Sequence, residues 1–174
     1  ITLLQDFDPT RVQEDGIFLP EGTQYRFAAF EAEYTSDQRK KFFMEIAPSI
    51  GKFYNGFRTG IRGEFTLRYQ PYGFVSLAYD YNYIELDGNF EPVSLWIIGP
   101  RIDLTFSKKV FLTTFIQYNS QFENLNINTR FQWRFAPVSD FFLVYTDNYL
   151  VESFSQFGFR NRSLVAKVTY WLNL

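Results

Sequence analysis

Apolar and polar residues alternate along most of the chain with a period of two, the spacing of a β-strand whose two faces meet different surroundings. The clearest run is Leu125–Phe135. There Leu125, Ile127, Phe131, Trp133 and Phe135 oppose Asn126, Asn128, Arg130, Gln132 and Arg134. A tight turn at Pro137–Asp140 then returns the aromatic-rich strand Phe141–Thr146. The alternation lasts about eleven residues, whereas an ordinary strand has about five or six and a tilted membrane-crossing strand needs about 9–11.

The rest of the chain repeats this theme. Ile1–Phe7 reads as a short strand and Asp8–Gly22, with two Pro and two Gly, as a long loop. Strands follow at Gln24–Thr35, Lys41–Gly51, Phe57–Gln70, Phe74–Tyr83, Val93–Ser107 and Val110–Gln121, and the last at Arg162–Leu174. Pro48 lacks an N–H, so a bulge or a weak pairing is expected beside it. Tight turns are predicted at Ser36–Lys40, Phe53–Gly56, Pro71–Gly73 and Ser107–Lys109, and longer loops at Glu85–Pro92 and Asn148–Asn161. The count is nine strands, or ten with Ile1–Phe7. The expected fold is all-β, an antiparallel up-and-down transmembrane β-barrel or part of a larger one. Short turns then mark one rim and longer loops the other.

Such a barrel assigns each face a solvent. The polar face, expected to line the lumen, carries Glu31, Glu33, Glu45, Arg58, Arg62, Glu64, Arg68, Asp80, Arg101, Asp103, Asn126, Asn128, Arg130, Gln132, Arg134 and Lys167. On closure, early glutamates and late cations become neighbours and are expected to pair. The apolar face carries Trp133, Phe135 and Tyr170 toward one rim and Tyr81, Tyr83, Trp96 and Tyr118 toward the other, the pattern of two interfacial girdles facing membrane lipid.

Composition sharpens this picture. Phe (22) and Tyr (12) raise the aromatic content to 21%, yet mean hydropathy is only −0.20. No run of eighteen apolar residues is present, so no helical span is expected. Apolar, aromatic and hydropathically neutral is the composition of a sheet with every second residue in water. A net charge of −2 gives no basic footprint for nucleic acid. With no Cys and no His, thiolate and histidine metal sites, disulfides and histidine-based general-base catalysis are closed. No phosphate loop or nucleophile elbow occurs. Carboxylate pairs such as Glu31/Glu33 and Asp80/Asp103 are commonplace in a charged lumen. Neither an enzyme nor a cofactor is expected. The expected role is a pore or a membrane-anchored scaffold; the alternative is a soluble β-barrel that binds an apolar or carbohydrate ligand, for which Tyr145–Phe159 offers a Tyr-rich loop.

Several blocks resemble a known family: Ile116–Ser120, Asn128–Thr146 and Ser163–Leu174, with Gly51–Phe57 matching more loosely. They are similar to the C-terminal barrel of an uncharacterised group of Bacteroidota outer-membrane proteins labelled carbohydrate-binding family-9-like. The resemblance implies a bacterial outer-membrane location, and a single barrel domain over residues 1–174 that is truncated at its N-terminus. It also implies a missing N-terminal domain or a protein partner, and implies no activity. Tyr170, Leu172 and Leu174 at alternate positions resemble the C-terminal signal read by barrel-assembly machinery, although Leu174 departs from its usual aromatic end.

Overall fold

The computed structural model describes residues 19–153 and 156–172. Ten strands form one antiparallel sheet: β1 (Ala29–Glu31), β2 (Tyr34–Thr35), β3 (Phe42–Phe53), β4 (Gly56–Tyr69), β5 (Gly73–Glu85), β6 (Val93–Ser107), β7 (Val110–Asn119), β8 (Asn124–Ala136), β9 (Ser139–Ser153) and β10 (Gln156–Thr169). Each strand from β3 onward pairs with its sequence neighbours, and β1 and β2 both pair with β3. The order is that of an up-and-down barrel. The sheet is not closed, because β1/β2 and β10 share no ladder. The strand read at Ile1–Phe7 lies outside the described residues, and so does most of the Asp8–Gly22 loop.

β1 and β2 are two parts of one strand. Glu31 pairs with Ser49 and Tyr34 with Ile46, a single unbroken register. The gap falls at Ala32 and Glu33, opposite Pro48. The Pro48 carbonyl still accepts from the Ala32 N–H at 3.1 Å, but Pro48 has no N–H to return. The expected weak pairing is therefore present and splits the strand in two; separately, strand begins only at Ala29, so the predicted Gln24–Thr35 strand is shortened at its start.

The β3–β4 connection is two residues, Tyr54 and Asn55, with Tyr54 at φ 51°. The Asn55 amide side chain donates to the Asp87 carbonyl at 2.8 Å, tying this turn to the next one along the same rim. At the opposite rim the β8–β9 turn is Pro137–Val138, followed by a bulge in which Phe135 falls out of register. Gly63 makes room for a neighbour. A Cβ there would lie 2.8 Å from the Tyr79 hydroxyl, so the Tyr79 ring lies across the glycine and stacks on Phe65 at 5.3 Å.

Two expectations are corrected. The Asn148–Asn161 segment is not a loop: β9 runs on to Ser153 and β10 begins at Gln156. Its polar residues are paired across the two strands, with Asn148 opposite Asn161 and Asp147 opposite Arg162, so hydrogen bonding replaces apolar packing as the reason for strand here. Correspondingly, the last strand ends at Thr169 rather than Leu174. The tight turn expected at Phe53–Gly56 is present as Tyr54–Asn55.

Candidate functional site

Pairing partners in a sheet share a face, so the registers place every residue of the strands on one side or the other. Fifteen of the sixteen residues expected on the polar face share it: Glu31, Glu45, Arg58, Arg62, Glu64, Arg68, Asp80, Arg101, Asp103, Asn126, Asn128, Arg130, Gln132, Arg134 and Lys167. Glu33 sits in the gap between β1 and β2, outside any strand.

The charges on this face pair over short range. Arg62 reaches Glu31, Arg101 reaches Asp103 at 2.6 Å and Arg134 reaches Asp140 at 3.3 Å. The pairing of early glutamates with late cations is not formed, because β1/β2 and β10 are not adjacent. Arginine is also held by rings that the alternation hides. Phe43, Phe53, Phe74 and Phe111 lie on the polar face, beneath Arg68, Arg58, Arg101 and Arg134, with guanidinium-to-ring distances of 4.7 to 6.0 Å. Such contacts are worth about 0.5–1 kcal/mol each at exposed sites. Small residues beside the arginines leave a hollow of about 170 Å³ bordered by Glu31, Ser49, Arg58, Arg62, Asp80 and Asn82.

On β7–β10 the same face is different in kind. Gln117, Asn126, Asn148 and Asn161 are successive cross-strand partners, forming a row of carboxamides across four strands. Asn148 donates to Asn161, and Asn128 donates to the Thr146 hydroxyl at 3.0 Å in the next row. The charged residues Arg130, Arg134, Asp140 and Lys167 all lie nearer the Pro137–Val138 rim. Among the described side chains that the registers place on this face, the far half is uncharged; Arg160 stands in the β10 bulge between Phe159 and Asn161 and has no register partner.

The other face is apolar and uncovered. Phe57, Leu67, Val75, Trp96, Trp133 and Leu164 are each between 46% and 65% exposed. Among the described residues, 28 large hydrophobic side chains are exposed, while the buried apolar side chains are only Leu19, Ala47, Ile84, Leu86 and Val151. A half-exposed side chain of this size forgoes about 1 kcal/mol of burial.

The expected girdle residues occupy this apolar face in two clusters at opposite strand ends. Tyr81 packs on Trp96 at 4.2 Å, Tyr83 follows two residues on, and Tyr118 pairs with Ile98. At the other end Trp133 meets Phe135 at 5.7 Å, and Phe135 stacks on Tyr170 at 6.4 Å with the rings nearly parallel.

One charged cluster interrupts the apolar face just inside the row that joins Tyr118, Leu125, Tyr149 and Phe159. Asp147 pairs with Ile127 on one side and Arg162 on the other. Only 1% exposed, its Oδ2 accepts from the Tyr145 and Tyr149 hydroxyls at 2.5 and 2.6 Å. Arg162 donates to the same oxygen through Nε at 2.9 Å and Nη2 at 2.7 Å. The guanidinium lies 5.4 Å from the Phe159 ring and 5.9 Å from the Tyr145 ring. Four donors on one oxygen neutralise a charge that an apolar surface would otherwise repel. Sequence reading missed this cluster because it placed the residues after Thr146 in a loop. The available signal was the break in alternation at Asp147 after Phe141, Leu143 and Tyr145. The Tyr-rich loop expected at Tyr145–Phe159 is accordingly strand on both sides, with the Tyr145, Tyr149 and Phe159 rings set against Asp147 and Arg162.

The chain matches no protein-family model, no curated protein and no solved structure. What it does is therefore argued from the two faces alone.

Proposed function

We propose that this chain forms the wall of a transmembrane β-barrel of a bacterial outer membrane. Its apolar face meets lipid and its polar face lines a hydrated interior, so that it serves as a pore or as a membrane-anchored scaffold for a partner. The observation that carries this reading is the uncovered apolar face bounded by two aromatic clusters. A lipid bilayer satisfies that surface without a protein core, and amphipathic rings favour its two headgroup levels. The ion-paired arginines and the carboxamide row suit the opposite side, where water supplies the remaining hydrogen bonds. The resemblance of Asn128–Thr146 to an outer-membrane family supports the same compartment.

Reconstitution tests this directly. The chain should require detergent or lipid to stay monodisperse and should float with phospholipid vesicles. A folded monomer in plain buffer would refute the proposal in favour of a soluble β-barrel. Conductance in planar bilayers separates the two roles: discrete steps mark an open interior, and silence marks a filled barrel that acts as a scaffold.

A further inference from the structure

The two rims of the sheet carry opposite charge. At the Pro137–Val138 rim the connections between strands hold Asp37, Arg39, Lys40, Lys41, Lys108 and Lys109, five cations against one carboxylate. The connections at the Tyr54–Asn55 rim hold Asp87, Glu91 and Glu123 and, among the described residues, no cation. The cations are not spread evenly along their rim. Arg39, Lys40 and Lys41 close the turn that leads into β3. Arg68 stands beside them near the end of β4, its backbone N–H donating to the Lys41 carbonyl at 2.6 Å. With Tyr69 and Gln70, these four border a hollow of about 140 Å³.

Within the described residues their charge is not spent. Asp37, the one carboxylate in the turn, accepts from the Arg39 backbone N–H at 2.9 Å. Arg68 donates through Nη1 to the Gln38 carbonyl at 2.7 Å. The ion pairs among the described residues involve none of the four cations. The hollow therefore calls for an anion, and its surroundings narrow the kind. Arg68 belongs to the polar face and Tyr69 to the apolar one, so the hollow opens at the end of the sheet, where the two faces meet. Phe42, Leu67 and Tyr69 lie on the apolar side of it and are 51% to 67% exposed. Tyr69 stacks on Tyr72 at 5.4 Å. Unpaired cations above an aromatic pair and an open apolar surface match one end of a phospholipid. Its chains would lie against Phe42 and Leu67, its glycerol at the tyrosines and its phosphate among the cations.

We propose that this hollow binds the phosphate headgroup of an anionic phospholipid and holds the Pro137–Val138 rim at headgroup level. The proposal rests on the membrane reading and adds to it a headgroup preference with a defined place.

The test uses the full chain in phosphatidylcholine vesicles doped with spin-labelled phosphatidylglycerol, with spin-labelled phosphatidylcholine as the reference. Electron spin resonance separates protein-bound from free lipid. The expected result is a preference for phosphatidylglycerol of about fivefold or more, the gain that a single cation near an anionic headgroup supplies. Arg39→Gln, Lys40→Gln and Lys41→Gln combined should abolish it. Lys108→Gln with Lys109→Gln, at the same rim but outside the hollow, should leave it. Inorganic phosphate at the concentration of the labelled lipid should not displace that lipid.

Three results would overturn the site. The first is no preference in the unmodified chain. The second is a preference that the triple substitution leaves intact, or that both sets of variants reduce alike, which reports diffuse rim charge. The third is displacement by inorganic phosphate, which assigns the hollow to the free ion. Flotation of each protein with the vesicles is read separately. A chain that does not float defeats the membrane reading and the lipid site with it, whereas one that floats without a preference defeats the site alone.

Discussion

Ala32 donates its backbone N–H to the carbonyl of Pro48, and Pro48 returns no hydrogen bond. That one-sided pair is why the first strand position is split into β1 and β2. Replacing the ring with an N–H should rejoin them. Pro48→Ala is expected to add one ladder bond, worth about 0.5–1.5 kcal/mol, and to slow amide hydrogen exchange across residues 29–35. Unchanged exchange there would show that the break has another cause.

Gly63 and Tyr79 give a second test. The ring lies where a side chain at 63 would go, so Gly63→Val must push Tyr79 off Phe65 as well as crowd the neighbouring strand. The expected cost is about 1–3 kcal/mol, read as a lower denaturant midpoint in detergent micelles. Gly99 is a fair comparison, since a Cβ there meets Phe115 ring atoms and the Ile116 carbonyl oxygen only at ordinary contact distances of 3.5 Å and beyond. Gly99→Ala should be close to neutral.

Asp147 and Arg162 should behave as a unit. Asp147→Leu leaves Arg162 without its carboxylate on an apolar surface, so a lower denaturant midpoint in detergent micelles is expected. Adding Arg162→Leu should recover much of the loss, because two apolar residues suit the surrounding face. Strictly additive losses in a double-mutant cycle would mean that the pair is not coupled.

The three tryptophans can report the level of each cluster. Variants retaining only Trp96 or only Trp133, placed in vesicles, should both be quenched more strongly by bromines near the headgroups than by bromines at chain ends. A maximum at the bilayer centre for either one would contradict the assignment of two aromatic bands.

Much of this fold was legible because the strands are long and two-faced. Period-two alternation locates β3 to β8 and sorts Arg58, Arg62 and Arg68 from Ile61, Phe65 and Leu67 without any contact information. It fails where a strand is held by hydrogen bonds instead of by a face. Asn148, Asn161 and the Asp147 cluster are polar on both sides, so they mimic a loop. The phenylalanines under the polar-face arginines were equally hidden, since alternation marks which side a residue takes and not which cation rests on it. Closure was beyond reach for a different reason: register between sequence neighbours follows from turns, whereas the meeting of the first and last strands depends on how many strands there are.

The row of Gln117, Asn126, Asn148 and Asn161 gives the polar face a lopsided electrical character. Charged groups crowd β1–β6 and the Pro137–Val138 rim, while among the described residues that the registers place on this face the far half of β7–β10 carries no charge. A small ion travelling over this surface would be drawn sideways as well as along, hugging the arginine and carboxylate side. An uncharged solute would find its hydrogen bonds on the other side, so one continuous wall offers two lanes.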